Sequence, residues 1–135
     1  MLSRVDTSSQ IEVDVTPGGD AHLGEAWRDL VTRSAPNVFM NPAGLAAVRE
    51  AAYGDTVTLL AWHRDGSGRR LVGLWALERR PVGPLGHACL AAPPHAYAFV
   101  STPVVDMEHD TAVIAAFFAA IAARPELPNV LRLRY

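Results

Sequence analysis

The sequence predicts one mixed α/β domain, and three observations support this. Apolar and polar residues alternate over 11–15 and 56–63, which is the period of a half-buried β-strand. Apolar residues at helical spacing over 21–34 indicate an amphipathic helix. The apolar run from Ala112 to Ala123 is too short to cross a bilayer, so it predicts a helix that is buried on more than one side.

The composition excludes several classes of function. The chain has 135 residues and a net charge of −2, so we expect no nucleic-acid partner. Every one of the 12 basic residues is an arginine, which excludes chemistry that needs a lysine, such as a Schiff base. The single Cys89 cannot form an internal disulfide and fits a reducing compartment. With no signal-peptide pattern in residues 1–10, which we expect to be a flexible tail, these features predict a cytoplasmic protein without a membrane span.

The predicted order of elements is β-α-α-β-β-β-β-α-β. Asn41 as N-cap and Pro42 at the next position predict a second helix, which ends at Gly54. Residues 56–78 form an antiparallel hairpin around the turn at 65–68. Shorter strands follow at 87–91 and 97–101, then a helix over 108–123 and a strand over 129–135. The last strand is expected beside 97–101, in parallel, through a right-handed crossover.

The residues identify no catalytic group, no cofactor-binding residue and no metal site. His95 and Tyr97 follow two prolines and point the same way, so with Ser101 they are candidates for a substrate groove, although use in a turn and in the core is also open. Ser101 lacks the glycine-flanked elbow of a serine hydrolase. His87 and Cys89 share a strand face, but no further ligand pair supports a metal, which favours core packing.

Four short segments of the sequence resemble those of a known family. The segments that carry the resemblance are Ala26-Trp27-Arg28-Asp29-Leu30, Asn37-Val38-Phe39-Met40-Asn41-Pro42, Val72-Gly73-Leu74-Trp75 and Ala98-Phe99-Val100-Ser101-Thr102-Pro103. They are similar to the first half of GNAT-like acyltransferases of the cellulose-biosynthesis (CelD/BcsL) and FemAB-like kind. The resemblance implies a three-layer GNAT-like fold in which an antiparallel meander precedes a parallel β-α-β crossover.

The same resemblance implies how the function is divided. In such proteins two GNAT-like halves are fused, and the second half usually carries acetyl-CoA or another acyl-CoA. Residues 11–135 would be the N-terminal half-domain, with the C-terminal part of the fold missing from this chain. The expected partner is that second half, or another copy of the chain paired through the edge strand 129–135. An amine would attack the thioester directly.

The segment that would hold the acyl-CoA pyrophosphate departs from the family pattern. GNAT folds bind this anion at the start of the crossover helix, on a loop rich in glycine. Residues 102–110 contain no glycine, and Pro103 removes a backbone donor. Asp106, Glu108 and Asp110 add negative charge, which we interpret as helix N-terminal charge rather than an acid/base or metal cluster. The segment 80–86 imitates the loop but precedes a strand.

Two hypotheses about function therefore remain open. The first is the N-terminal half of a GNAT-like N-acyltransferase that does not itself bind acyl-CoA. The second is a stand-alone, non-catalytic α/β module for binding or oligomerisation. The reading frame past Tyr135 discriminates between them, because a further strand–helix–strand unit with a glycine-rich loop favours the first and a stop codon favours the second.

Overall fold

The computed structural model describes residues 10–17, 23–35, 55–66, 68–91 and 103–133. In these ranges the chain forms six strands and two helices, in the order β1 (Ile11–Pro17), α1 (Gly24–Arg33), β2 (Asp55–Asp65), β3 (Gly68–Val82), β4 (His87–Ala91), β5 (Val104–Val105), α2 (Asp110–Ala123) and β6 (Leu131–Arg132). The predicted tail, apart from Gln10, and the predicted helix that begins at Asn41 lie outside these ranges. Within them, no helix combines the length and apolar character that crossing a membrane requires.

One twisted sheet organises the described chain. Its strands lie in the order β1-β2-β3-β4-β6, and β5 pairs with β3 beside this path. All pairs are antiparallel except β4 with β6, which are parallel. The predicted fold class, an antiparallel meander followed by a parallel β-α-β crossover, is therefore confirmed.

The central hairpin forms where the sequence predicts it. β2 and β3 pair from Asp55↔Arg79 to Asp65↔Gly68, which extends the predicted hairpin at its β3 end. Gly66 occupies the turn with φ +54°, a left-handed conformation that glycine adopts without steric cost. A register shift between Ala61 and Trp62 changes which residues of β2 and β3 share a face.

The core lies on both faces of this sheet. On one face, Trp27 and Leu30 of α1 pack with residues of β2, β3 and β5, in a cluster that also contains Leu23, Leu60, Trp62, Leu71, Leu74, Ala76 and Val104. On the other face, Phe117 of α2 packs with Trp75, and the cluster is completed by Val57, Leu59, Ala61, Val72, Leu77, Leu90, Val113, Ile121 and Leu127. All three tryptophans, Trp27, Trp62 and Trp75, are buried in the core.

Helix α2 is less enclosed than its apolar sequence predicts. Val113, Phe117 and Ile121 are spaced by four residues and face the sheet, where they are buried. The opposite side carries no second layer from the described residues, and Phe118 is 49% exposed. The prediction that this helix is buried on more than one side is therefore wrong. The sheet buries only the stripe of α2 that faces it.

The crossover leads into β6, which lies in parallel beside β4, with Leu90↔Leu131 and Ala91↔Arg132 as partners. The predicted neighbour, residues 97–101, lies outside the described ranges, so pairing of β6 with that segment stays a prediction. β4 and β5 both pair with the same edge of β3. β4 therefore lies between β3 and β6 in the sheet. β6 lies at one edge of the described sheet, and β1 lies at the other.

We expect Gly73→Ala to destabilise the fold. A Cβ at Gly73 would overlap Val113 Cγ1 and lie 3.0 Å from Phe117 Cζ and 3.2 Å from Ala61 Cβ, which presses β3 against α2. Such overpacking typically lowers the free energy of unfolding by about 1–3 kcal/mol. Chemical denaturation measures the change. Gly68→Ala is the matched control, since a Cβ there meets nothing within 4 Å. Equal stability of the two variants would contradict this packing.

Candidate functional site

A polar cluster joins the end of α1 to the start of α2. The side chain of Arg33, the last residue of α1, forms an ion pair with the carboxylate of Asp106. Asp106 is only 3% exposed, so this pair lies between the two helices and the edge of β3. Backbone bonds hold the same place: Asp106 N–H donates to Val72 O at 2.9 Å, and Met107 N–H donates to Arg33 O at 3.1 Å. The pair thus links two segments far apart in sequence.

Arg33 is held by three different acceptors. Besides Asp106, it donates to Leu71 O at 2.9 Å and to Asp29 Oδ2 at 2.7 Å, one helical turn earlier. Arg70 of β3 also binds Asp29 with two nitrogens, at 3.1 and 3.2 Å. The hydrogen bond from Arg70, followed by the one from Arg33, lowers the pKa of Asp29 from 3.8 to about 2. Two carboxylates and two guanidiniums therefore alternate across this end of the sheet.

Backbone donors at the start of α2 are used by the chain's own oxygens. Asp106 Oδ1 accepts the N–H of Glu108 at 2.9 Å, and Asp106 O accepts the N–H of His109 at 3.0 Å. Asp110 Oδ1 accepts the N–H of Thr111 at 2.6 Å. A helix start binds anions through free N–H groups, and these three bonds engage the N–H of Thr111 in the first turn of α2 and the N–H groups of the two residues that precede the helix.

Two imidazoles lie next to this helix start. The ring centroids of His63 and His109 are 4.7 Å apart, and His63 Nε2 lies 3.1 Å from Gln10 Oε1. His109 Nδ1 is 3.7 Å from Asp106 Oδ1, which is beyond a hydrogen bond, and it has no hydrogen-bond partner among the described residues. A carboxylate next to an imidazole can take part in proton transfer, but the carboxylate of Asp106 already forms an ion pair with Arg33.

Asp106, Glu108 and His109 also have the spacing of a possible metal site. One ligand atom from each lies within 4.8 Å of the others. Both oxygens of Asp106 already accept hydrogen bonds, one from Arg33 and one from the backbone of Glu108. A cation at this place would have to displace a guanidinium, so the arrangement favours a structural role for Asp106.

The sequence predicted part of this site. Asp110 lies in the first turn of α2, as an acidic residue at a helix start does. Asp106 was wrongly interpreted as a charge of the same kind, because it is a buried partner of Arg33 four residues before the helix. Cys89 is buried, as expected, whereas His87 is exposed and does not belong to the core. The candidates His95, Tyr97 and Ser101 lie outside the described residues.

Arg33 and Arg70 were not among the residues predicted for a site. A four-residue spacing between Asp29 and Arg33 on a helix is a visible signal for an ion pair. The link from Arg33 to Asp106 gives no such signal, because 73 residues separate the two.

Comparisons with known proteins identify no family for this chain. No protein-family model matches it, and no curated protein matches it. It is similar in structure to a crystal structure of a Trypanosoma brucei acetyltransferase, with 17% sequence identity and a TM-score of 0.47. The similarity covers 92% of this chain and 83% of the acetyltransferase chain. A likeness at this level assigns no activity.

We expect Asp29→Asn to lower the free energy of unfolding by an amount that depends on pH. The pKa of Asp29 is about 2 in the folded chain and 3.8 without its partners, so folding favours the ionised form. This contribution is present above about pH 4 and is lost as the pH falls towards 2. It is small, because Asp29 is close to half exposed and solvent screens its pairs.

Urea midpoints of the natural chain and the variant, measured between about pH 2 and 7, check this expectation. The difference between them should be constant near neutral pH and vanish at the acid end. Glu25→Gln is the matched control, since Glu25 is exposed on the same helix and makes no ion pair with the described residues. A difference for Asp29→Asn that does not change with pH would contradict the assignment.

Proposed function

We propose that this chain is a GNAT-like acyltransferase module that does not itself hold acyl-CoA. Two features support the acyltransferase type. One is the topology, in which an antiparallel meander leads through α2 into a strand parallel to β4. The other is the resemblance of four sequence segments to the first half of CelD/BcsL-type and FemAB-like acyltransferases. Whether the module itself binds acyl-CoA depends on the residues at the start of α2.

One observation carries the proposal that acyl-CoA is not bound here. The carboxylate of Asp106, four residues before α2, accepts the N–H of Glu108 and pairs with Arg33, so neither that N–H nor that guanidinium is free to bind an anion. An acyl-CoA pyrophosphate needs free N–H groups and positive potential at this place. The nearest arginine is neutralised by Asp106 and Asp29, and Glu108 adds a further exposed carboxylate. A second anion would be repelled.

In this proposal the module forms the acceptor side of an acyltransferase. A second GNAT-like half would hold acetyl-CoA or another acyl-CoA, and an amine of the acceptor would attack the thioester. His95, Tyr97 and Ser101 are the proposed contacts for the acceptor. The proposal names no catalytic base in this chain, and it includes no cofactor bound by this chain alone.

The second candidate function is a stand-alone α/β module for binding or oligomerisation. β6 lies at the edge of the described sheet, and the neighbouring Val130 is 55% exposed. An edge strand with apolar neighbours favours pairing with another chain, whether a second copy or a second GNAT-like half. A reading frame that continues past Tyr135 into a strand–helix–strand unit with a glycine-rich loop supports the acyltransferase half, and an immediate stop codon supports the stand-alone module.

We expect the isolated chain not to bind acetyl-CoA. Calorimetric titration should give no saturable heat up to about 1 mM acetyl-CoA. This limit is chosen because a dissociation constant above about 1 mM is too weak to hold a cofactor. A circular-dichroism melt of the same sample shows that the chain is folded, and an acetyl-CoA-dependent acetyltransferase titrated in parallel is the positive control. Saturable micromolar binding of acetyl-CoA, reversed by added coenzyme A, would contradict the proposal and would show that this chain has a cofactor site of its own.

A further inference from the structure

We propose that a second site, at the other end of β3, binds a small oxyanion, either a carboxylate or a phosphate. The site is a pocket of about 270 Å³ between the β3–β4 hairpin and β6, which we call the hairpin pocket. Its walls are formed by Arg80, Val82, Gly83, Cys89, Ala91 and Arg132. This inference does not depend on the proposed acyltransferase function, and the pocket shares no residue with the polar cluster at the start of α2.

Strand register brings the two arginines to one face of the sheet. Arg80 of β3 lies opposite Cys89 of β4, and Arg132 of β6 lies beside Ala91 of β4. Cys89 and Ala91 are two residues apart, so their side chains point to the same face. Both guanidiniums can therefore reach the space above β4, one from each side, although 52 positions separate them in the sequence (132 minus 80).

The charges in the hairpin pocket do not cancel. Arg80 Nε donates to Glu78 Oε2 at 3.1 Å, and the side chain of Glu78 is only 9% exposed. No described residue accepts a hydrogen bond from the terminal nitrogens of Arg80, or forms an ion pair with Arg132. Among the described residues, one carboxylate thus faces two guanidiniums, which leaves one positive charge. His87 lies on the same face and is exposed.

The chemistry of the walls defines the ligand. A guanidinium offers paired N–H groups whose spacing matches the oxygens of a carboxylate or a phosphate. Cys89 and Ala91 are buried at the base, and Val82 is 47% exposed at the side, so the walls also suit a short aliphatic body. The volume is at the lower end for ligand pockets, which indicates a metabolite-sized anion. The net charge of −2 disfavours a polyanion such as nucleic acid.

Binding is tested with two probes, inorganic phosphate and succinate, titrated into ¹⁵N-labelled full chain at constant ionic strength. We expect saturable shift changes confined to the amides of residues 78–91 and 130–133, with millimolar dissociation constants. Arg132→Gln should weaken binding about tenfold, the usual effect of losing one charge-assisted hydrogen bond. Arg132 is exposed, so this variant leaves the core intact. Arg80→Gln should have the same effect but also removes the partner of Glu78.

Arg64→Gln is the matched control. Arg64 is an exposed arginine whose partner is Glu12, on the β1–β2 side of the sheet, so its loss should leave both affinities unchanged. Saturation by phosphate alone identifies a phosphate pocket, and saturation by succinate alone identifies a carboxylate pocket; either result supports the proposal, as does binding of both. No saturable change with either probe up to about 20 mM, a concentration well above the millimolar range of weak ligands, overturns it. Equal affinity in Arg132→Gln overturns it as well.

Discussion

The ion pair between Arg33 and Asp106 is the interaction on which the described fold most depends. It lies where the end of α1, the edge of β3 and the approach to α2 meet. Burying two charges is costly unless each is paired and hydrogen-bonded. Here Asp106 receives Arg33 and the backbone of Glu108, while Arg33 also binds Asp29 and Leu71 O. The pair thereby fixes the two helices, which cover opposite faces, at the same end of the sheet.

This pair also limits what the start of α2 can do. A helix start attracts anions, and this chain supplies that anion itself through the carboxylates of Asp106 and Asp110. At the hairpin end of β3, Arg132 has no ion-pair partner among the described residues, and it lines a pocket together with Arg80, which pairs with Glu78. The two ends of β3 therefore differ in character: one end is a closed network of paired charges, and the other is an open pocket with one positive charge in excess.

Local patterns in the sequence predicted the elements, and contacts distant in sequence decided the rest. The β2–β3 hairpin, α1 and β4 follow from alternation, helical spacing and turn residues, and all three form near the predicted positions. β5 was missed because two residues are too few to show a period. The pairing of β6 with β4 was not predicted, since a strand's own sequence does not identify the strand beside it. Asp106 was misread because its role depends on Arg33, which no local pattern reveals.

A double-mutant cycle on Arg33 and Asp106 tests this account most directly. The variants Arg33→Gln and Asp106→Asn, separately and together, are compared with the natural chain by urea denaturation. If the pair holds the two helices as described, the two losses are not additive, and the coupling free energy is about 1–3 kcal/mol. A coupling below about 0.3 kcal/mol, with each substitution acting independently of the other, would contradict the central role of this ion pair.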